Sequence, residues 1–248
     1  MFPLPYAQPL RSLLYVLFGL EIVLLAGGLA FGKPNADKTC RLPLPLRMSL
    51  SAILLLAAWL GWQGGARGTA MQTFALLILC GMAAGFVGDL IMARVLRTPN
   101  RLIFGMGTFG LGHVFYLCAL LHLSTKTGPL LEPRRLLVLA VALMASLVLW
   151  YRYVRAPGGS RVLNVASLVY GLLIGAVMAL AFALALGDAH YLGLALGALL
   201  FVASDMLLGN WVIQGHVWPG VNDAIWCCYA TGQLLIVYSV AAALNAWI

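Results

Sequence analysis

The chain has 248 residues, of which 63% are hydrophobic and only 9% charged, and its formal net charge is +8 at pH 7. A soluble domain of this length needs far more charge to cover its surface. The basic residues gather in short gaps between long apolar runs, which excludes nucleic acid as the partner and points to topology signals and lipid-headgroup contacts.

In chain order, the apolar runs predict spans at Leu10–Phe31, Leu46–Trp62, Ala70–Val95, Leu102–Leu123, Arg135–Tyr153, Val162–Leu186, Tyr191–Gly209 and Val221–Ala246. Pro and Gly punctuate the gaps, at Gly32-Lys33-Pro34, Gly64-Gly65, Thr98-Pro99-Asn100, Gly128-Pro129, Pro157-Gly158-Gly159, Gly187-Asp188 and Trp218-Pro219-Gly220. The reading is an all-α integral membrane protein of about eight transmembrane helices, with residues 1–248 forming one polytopic membrane domain. The first run carries one early basic residue, Arg11, and no small-residue cleavage site, so it is read as a span and not as a removed signal peptide.

Ten basic residues follow spans one, three, five and seven: Lys33, Lys38, Arg41, Arg47, Arg94, Arg97, Arg101, Arg152, Arg155 and Arg161. Five lie on the opposite side: Arg11, Arg67, Lys126, Arg134 and Arg135. This asymmetry predicts a multi-pass protein with non-cytoplasmic termini, in the inner membrane if the source is bacterial. The five cysteines include no C-x-x-C pair, which suits small apolar packing residues better than a zinc site or a disulfide framework.

The acidic residues carry the functional argument. An acidic side chain in a bilayer costs about 2.5–3.5 kcal/mol on insertion scales, so it persists where it works or is paired. Asp37, Glu132 and Asp188 fall in gaps, whereas Glu21, Asp89, Asp205 and Asp223 fall in or at the edge of spans. Glu21 is expected to pair with a polar neighbour. Asp89 lies eight residues before Arg97, a depth of about 12 Å at helical rise, and Asp205 is placed similarly if its helix runs to Gly215. The two therefore read as a shared functional site or as helix-to-helix hydrogen bonding. Asp223 opens the last helix, where the dipole favours a negative charge, so a site role and a capping role stand side by side.

The surroundings of the two aspartates echo each other. Gly81-Met-Ala-Ala-Gly-Phe-Val-Gly-Asp89 and Gly197-Ala-Leu-Leu-Phe-Val-Ala-Ser-Asp205 each place a Gly eight residues before the Asp and a small residue just before it. They read as the remnant of a weak four-plus-four repeat or as a coincidence of Gly/Ala-rich helices. His113, Tyr170, Asn222 and Tyr229 fall at comparable depth from the same face, with Gln233 one turn deeper, and Gly105, Gly107, Gly110 and Gly112 thin one helix for close approach. His113 reads as a helix-bridging donor or as a participant in chemistry. No nucleotide loop, G-x-S-x-G or H-E-x-x-H is present, and nothing in the sequence calls for a metal or a cofactor.

In these residues the chain resembles the YhhN-like family of membrane lysoplasmalogenases. The resemblance rests on Phe86-Val-Gly-Asp89-Leu, Leu111-Gly-His113-Val-Phe-Tyr116, Val169-Tyr170, the Gly197–Asp205 stretch and Tyr229-Ala-Thr-Gly-Gln233-Leu-Leu-Ile, in that order, between Ala70 and Ser239. It departs in the first loop. Family members usually start the second span with Lys-Pro-Leu, whereas Lys33-Pro34 is followed here by Asn-Ala-Asp-Lys-Thr-Cys-Arg, so Lys33, Lys38 and Arg41 all stand as headgroup partners.

The resemblance implies hydrolysis of the vinyl-ether bond of lysoplasmalogens to a fatty aldehyde and a glycerophospho-base. It carries over Asp89 and Asp205 as catalytic, and His113, Tyr116, Tyr170, Asn222, Asp223 and Tyr229 as supporting residues. Its partners would be a lysophospholipid, water and the membrane lipids.

A vinyl ether is cleaved through an oxocarbenium ion, which calls for one protonated and one ionised carboxyl; glycosidases meet the same ion with a carboxyl pair. The sequence does not assign the two roles. Arg94, Arg97 and Arg101 read as phosphate contacts or as topology charges. Paired intramembrane acids suit a proton-coupled or lipid transporter as well, although broken spans in matching positions are missing.

Overall fold

In a computed structural model, which describes residues 3–127 and 132–246, the chain is all-helical. Helices α1 (Leu10–Phe31), α2 (Leu44–Gly61), α3 (Gln72–Met92), α4 (Arg101–Thr127), α5 (Pro133–Tyr153), α6 (Arg161–Gly187), α7 (Leu192–Val212) and α8 (Val221–Ala246) follow in order. Among the described residues, eight helices are long and apolar enough to cross a membrane, so the chain is a multi-pass integral membrane protein. The turn expected at Gly128-Pro129 lies outside the described residues.

The ends of the spans differ from expectation for local reasons. α2 begins two residues early, because Pro45 supplies a preset φ in the first turn where no N–H is needed, and it runs on into a π-helical turn over Trp62–Ala66. α5 likewise begins at Pro133. Ser160 starts α6 by accepting a bond from the Leu163 amide at 3.4 Å.

α3 stops earlier than its apolar run suggests. Arg94 takes a left-handed conformation, φ +62, and the Val95 amide reaches back to the Leu90 carbonyl at 2.9 Å while Arg94 reaches Ile91 at 3.0 Å. This is a Schellman stop with arginine where glycine is the usual occupant. It leaves Asp89 three residues from the end of α3, about 5 Å along the axis, not the deeper position expected. α7 ends at Val212, short of Gly215, with Asp205 seven residues or about 10 Å inside.

α8 is the axis of the bundle, with 78% of its span buried against 11% for α5. It packs on α1, α2, α3 and α7. Exposed Val16 and Val23 on α1 and Leu137, Val141 and Met144 on α5 form apolar outer faces, as suits helices that border lipid. The most extensive packing joins α3 to α4 and α7 to α8, and glycine allows both. A Cβ on Gly112 would lie 2.9 Å from the Gly81 carbonyl oxygen, and one on Gly232 would lie 2.9 Å from that of Gly197. The glycines of the two echoing stretches thus stand at equivalent close crossings, two turns from each aspartate.

Opposite the site the end of α8 meets the segment before α1, where the Asn245 amide donates to the Pro3 carbonyl at 2.8 Å. Glu21, buried in α1, meets no hydrogen-bond donor among the described residues, in contrast to the polar pairing expected of it. α3 and α7 run unbroken past their aspartates.

Candidate active site

At the end of the bundle formed by the C-termini of α3 and α7 and the N-termini of α2, α4 and α8, a cavity of about 490 Å³ opens between the helices. Asp89 and Asp205 both line it. The volume lies within the usual range of small-molecule sites. α8 contributes Asn222, Ile225, Trp226 and Tyr229, one face at helical spacing. Arg47, Arg94 and Arg101 bring positive charge from three separate elements.

The two carboxyls are held differently. The Ser51 hydroxyl and the Tyr229 hydroxyl both donate to Oδ2 of Asp89, at 2.5 and 2.7 Å. Asp89 is buried, whereas Asp205 is half-buried and accepts a bond from the Tyr170 hydroxyl at its own Oδ2.

The two tyrosines are not independent. The His113 ring packs edge-on against Tyr170 at 5.7 Å and Phe201 at 4.4 Å, and Phe201 in turn packs against Tyr229 at 5.4 Å. A continuous stack of rings therefore links the supports of both aspartates. His113 Nδ1 lies 2.9 Å from the Phe109 carbonyl one turn back; a carbonyl only accepts, so Nδ1 carries the hydrogen. Tyr116 lies behind the stack and donates to Gln233 at 2.7 Å. His113 and Tyr116 thus brace the site without lining its cavity.

A second, narrow crevice lies between α4, α6 and α7, lined by Leu102, Met106, Leu163, Met206 and Ile213 among others. It is almost wholly apolar. Asp205, Met92, Phe109, Leu208 and Val212 line both spaces, so the crevice and the charged cavity meet at Asp205. The crevice holds only about 50 Å³, so the apolar contact it offers beside Asp205 is short.

The remaining residues singled out by sequence sort by position. Asp223 is buried and takes two bonds from Arg41, from its amide at 2.7 Å and from Nε at 3.0 Å. The Gly220 and Asn222 amides bind the Lys38 and Thr39 carbonyls at 2.9 Å each. Asp223 therefore pins the first loop to the start of α8, and only its neighbour Asn222 faces the cavity. Of the three basic headgroup alternatives, Arg41 is engaged in this pin and Lys33 is exposed outside the cavity. Arg97 is exposed and lines a separate hollow in the α3–α4 loop.

Arg47, Ser51, Trp211 and Trp226 were not singled out for the site from sequence. Arg47 and Ser51 carried a usable signal, because two polar residues four apart in an apolar run share one helix face. All five cysteines are free, and burial pushes the Cys40 thiol above its usual value. Among the described residues no three of His, Cys, Asp and Glu group to hold a metal ion.

Arg94 lines the cavity from a backbone conformation that costs a non-glycine residue about 1–2 kcal/mol. Such strain concentrates at functional positions. Arg94→Gly is expected to keep stability or raise it by up to about 1 kcal/mol while weakening whatever activity depends on the positive charge of the cavity. Thermal melts and activity assays on the same preparation check these opposite signs.

No curated protein and no solved structure matches the chain. A family model described as the YhhN family matches residues 44–240, a stretch that contains the ring stack, both aspartates and all three cavity arginines. The chain belongs to the YhhN family.

Proposed function

We propose that this protein hydrolyses the vinyl-ether bond of lysoplasmalogens, releasing a fatty aldehyde and a glycerophospho-base, an activity in keeping with a family that includes lysoplasmalogenases. One observation carries the reading: Asp89 and Asp205 line one charged cavity, and Asp205 also lines the apolar crevice beside it. A lysophospholipid has this division of polarity, and its ether linkage lies at the boundary between head and tail.

The hydrogen bonds support one division of roles. Asp89, which accepts two hydroxyl donors on one oxygen, takes the carboxylate role in this reading, because such donors support a charged form. Asp205 has a single tyrosine donor and also lines the apolar crevice, so in this reading it takes the role of the acid.

Asp205 gives this proton to the β-carbon of the vinyl ether, the carbon on the tail side of the double bond. The remaining cation is an oxocarbenium ion, stabilised by the Asp89 carboxylate in a site of low dielectric. Water adds to the cationic carbon as Asp89 takes its proton, which forms a hemiacetal. The hemiacetal hydroxyl then returns a proton to Asp205, while Asp89 protonates the departing glycerol oxygen. Aldehyde and alcohol leave, one water is consumed, and both carboxyls regain their starting states.

The test is an incubation of detergent-solubilised protein with lysoplasmalogen in D₂O, with the aldehyde trapped as it forms. One deuterium is expected on the carbon next to the carbonyl. Absence of aldehyde from the folded protein overturns the reading and leaves the transporter alternative, which makes no product.

A further inference from the structure

We propose that Arg47 is the phosphate anchor of this cavity, so that its ligand class is a glycerolipid whose phosphodiester sits one helical turn above the reacting carboxyl. The proposal rests on the lipid-hydrolase reading and deepens it by fixing which part of the headgroup is recognised.

α2 and α8 both approach the cavity from their N-termini in two rungs, of which Arg47, Trp226 and Tyr229 line the cavity and Ser51 joins it through Asp89. The lower rung is Ser51 and Tyr229, whose hydroxyls hold Asp89. The upper rung is Arg47 and Trp226, with the guanidinium carbon 5.6 Å from the centre of the indole ring. Four residues separate the rungs on α2 and three on α8, a rise of about 6 Å and about 4.5 Å toward the mouth. In a 1-alkenyl glycerophospholipid five bonds separate phosphorus from the ether oxygen, on the order of 6 Å when extended. A phosphate on the upper rung therefore places the ether oxygen at the level of Asp89.

The state of Arg47 points to an acceptor in the ligand. Its Nε is buried and meets no hydrogen-bond partner among the described residues, and the guanidinium forms no ion pair with a carboxylate there. A buried donor of this kind marks where an acceptor belongs. The guanidinium carbon lies over the Trp226 ring, and a guanidinium offers its N–H groups for a forked bond to two phosphate oxygens. Arg94 and Arg101 line the same cavity and add positive charge around that point.

The experiment measures binding of two uncleavable ligands, a 1-O-alkyl glycerophosphocholine and the matching phosphate-free 1-O-alkylglycerol, to full-length protein in detergent. The wild type is expected to prefer the phosphate-bearing ligand by about tenfold or more, the usual scale for charge-assisted bonds. Arg47→Gln is expected to erase that preference, and Arg47→Lys to keep part of it, because lysine retains the charge without the fork. Melting curves establish that each variant is folded; should Arg47→Gln fail to fold, Arg47→Lys with its reduced preference decides. Inorganic phosphate is expected not to displace the lipid, and its displacement of the lipid would assign the anchor to free phosphate instead.

An unchanged preference in folded Arg47→Gln overturns the anchor. Because neither ligand has a vinyl ether, this outcome is independent of aldehyde release, and a failed hydrolysis assay overturns the lysoplasmalogenase reading by itself.

Discussion

Asp205→Asn is expected to lower aldehyde release by about 10²–10⁴-fold, the range of a lost general acid. Asparagine keeps the shape of the side chain and an oxygen to accept the Tyr170 bond, so the stack of His113, Tyr170 and Phe201 has no reason to collapse. What disappears is the transferable proton. Asp89→Asn is expected to fall by a similar factor for a different reason. Its remaining oxygen still accepts from Ser51 and Tyr229, but the negative charge facing the oxocarbenium ion is gone.

The two losses should not multiply in the double variant, since both carboxyls act in one proton cycle. Single-turnover rates at saturating lipid, with melting curves on the same samples, measure all three. Near-normal turnover by both folded single variants would remove the mechanism.

Gly112→Leu is expected to be the most damaging substitution to stability away from the carboxyls. Even a bare Cβ there would lie 2.9 Å from the Gly81 carbonyl oxygen and 3.6 Å from the Gly85 amide nitrogen, both backbone atoms that no rotamer change can move. α3 and α4 must separate to admit a leucine, and overpacking of this kind costs about 1–3 kcal/mol, against a helix-propensity gain of up to about 1 kcal/mol over glycine. Gly107→Leu, on the same helix with open space around its Cβ position, is the matched control and should lose little. The separation would also reach the site. Gly81 packs on the Tyr116 ring, and Tyr116 is bonded to Gln233 of α8. Thermal denaturation in detergent should rank Gly112→Leu well below both the wild type and Gly107→Leu.

The deuterium label, the opposite effects at Arg94 and the ligand preference set by Arg47 are independent of these two results. The label reports the chemistry, Arg94 the strained mouth of the cavity, and Arg47 the headgroup.

What the sequence determined by itself was the solvent and the coarse element order. Runs of about 20 apolar residues have one stable form in a bilayer, because every backbone N–H must find its carbonyl within the run. The spans, two of them to the residue (Leu10–Phe31 and Val221–Ala246), were therefore legible without coordinates. The cost of burying Asp89 and Asp205 was equally legible, since it depends on each residue and the length of its run.

Tertiary structure alone decided what those acids meet. Ser51 and Tyr229 reach Asp89 across 38 and 140 residues of chain, and Tyr170 reaches Asp205 across 35. Hydropathy is blind to such meetings because it says that a polar face must turn inward but not which partner it will find there; close helix packing, as at the glycine crossings, decides that. The same packing turned Asp223 toward Arg41 and away from the cavity, left Lys33 in the open, and gave Arg47, counted at first only as a topology charge, a place over Trp226.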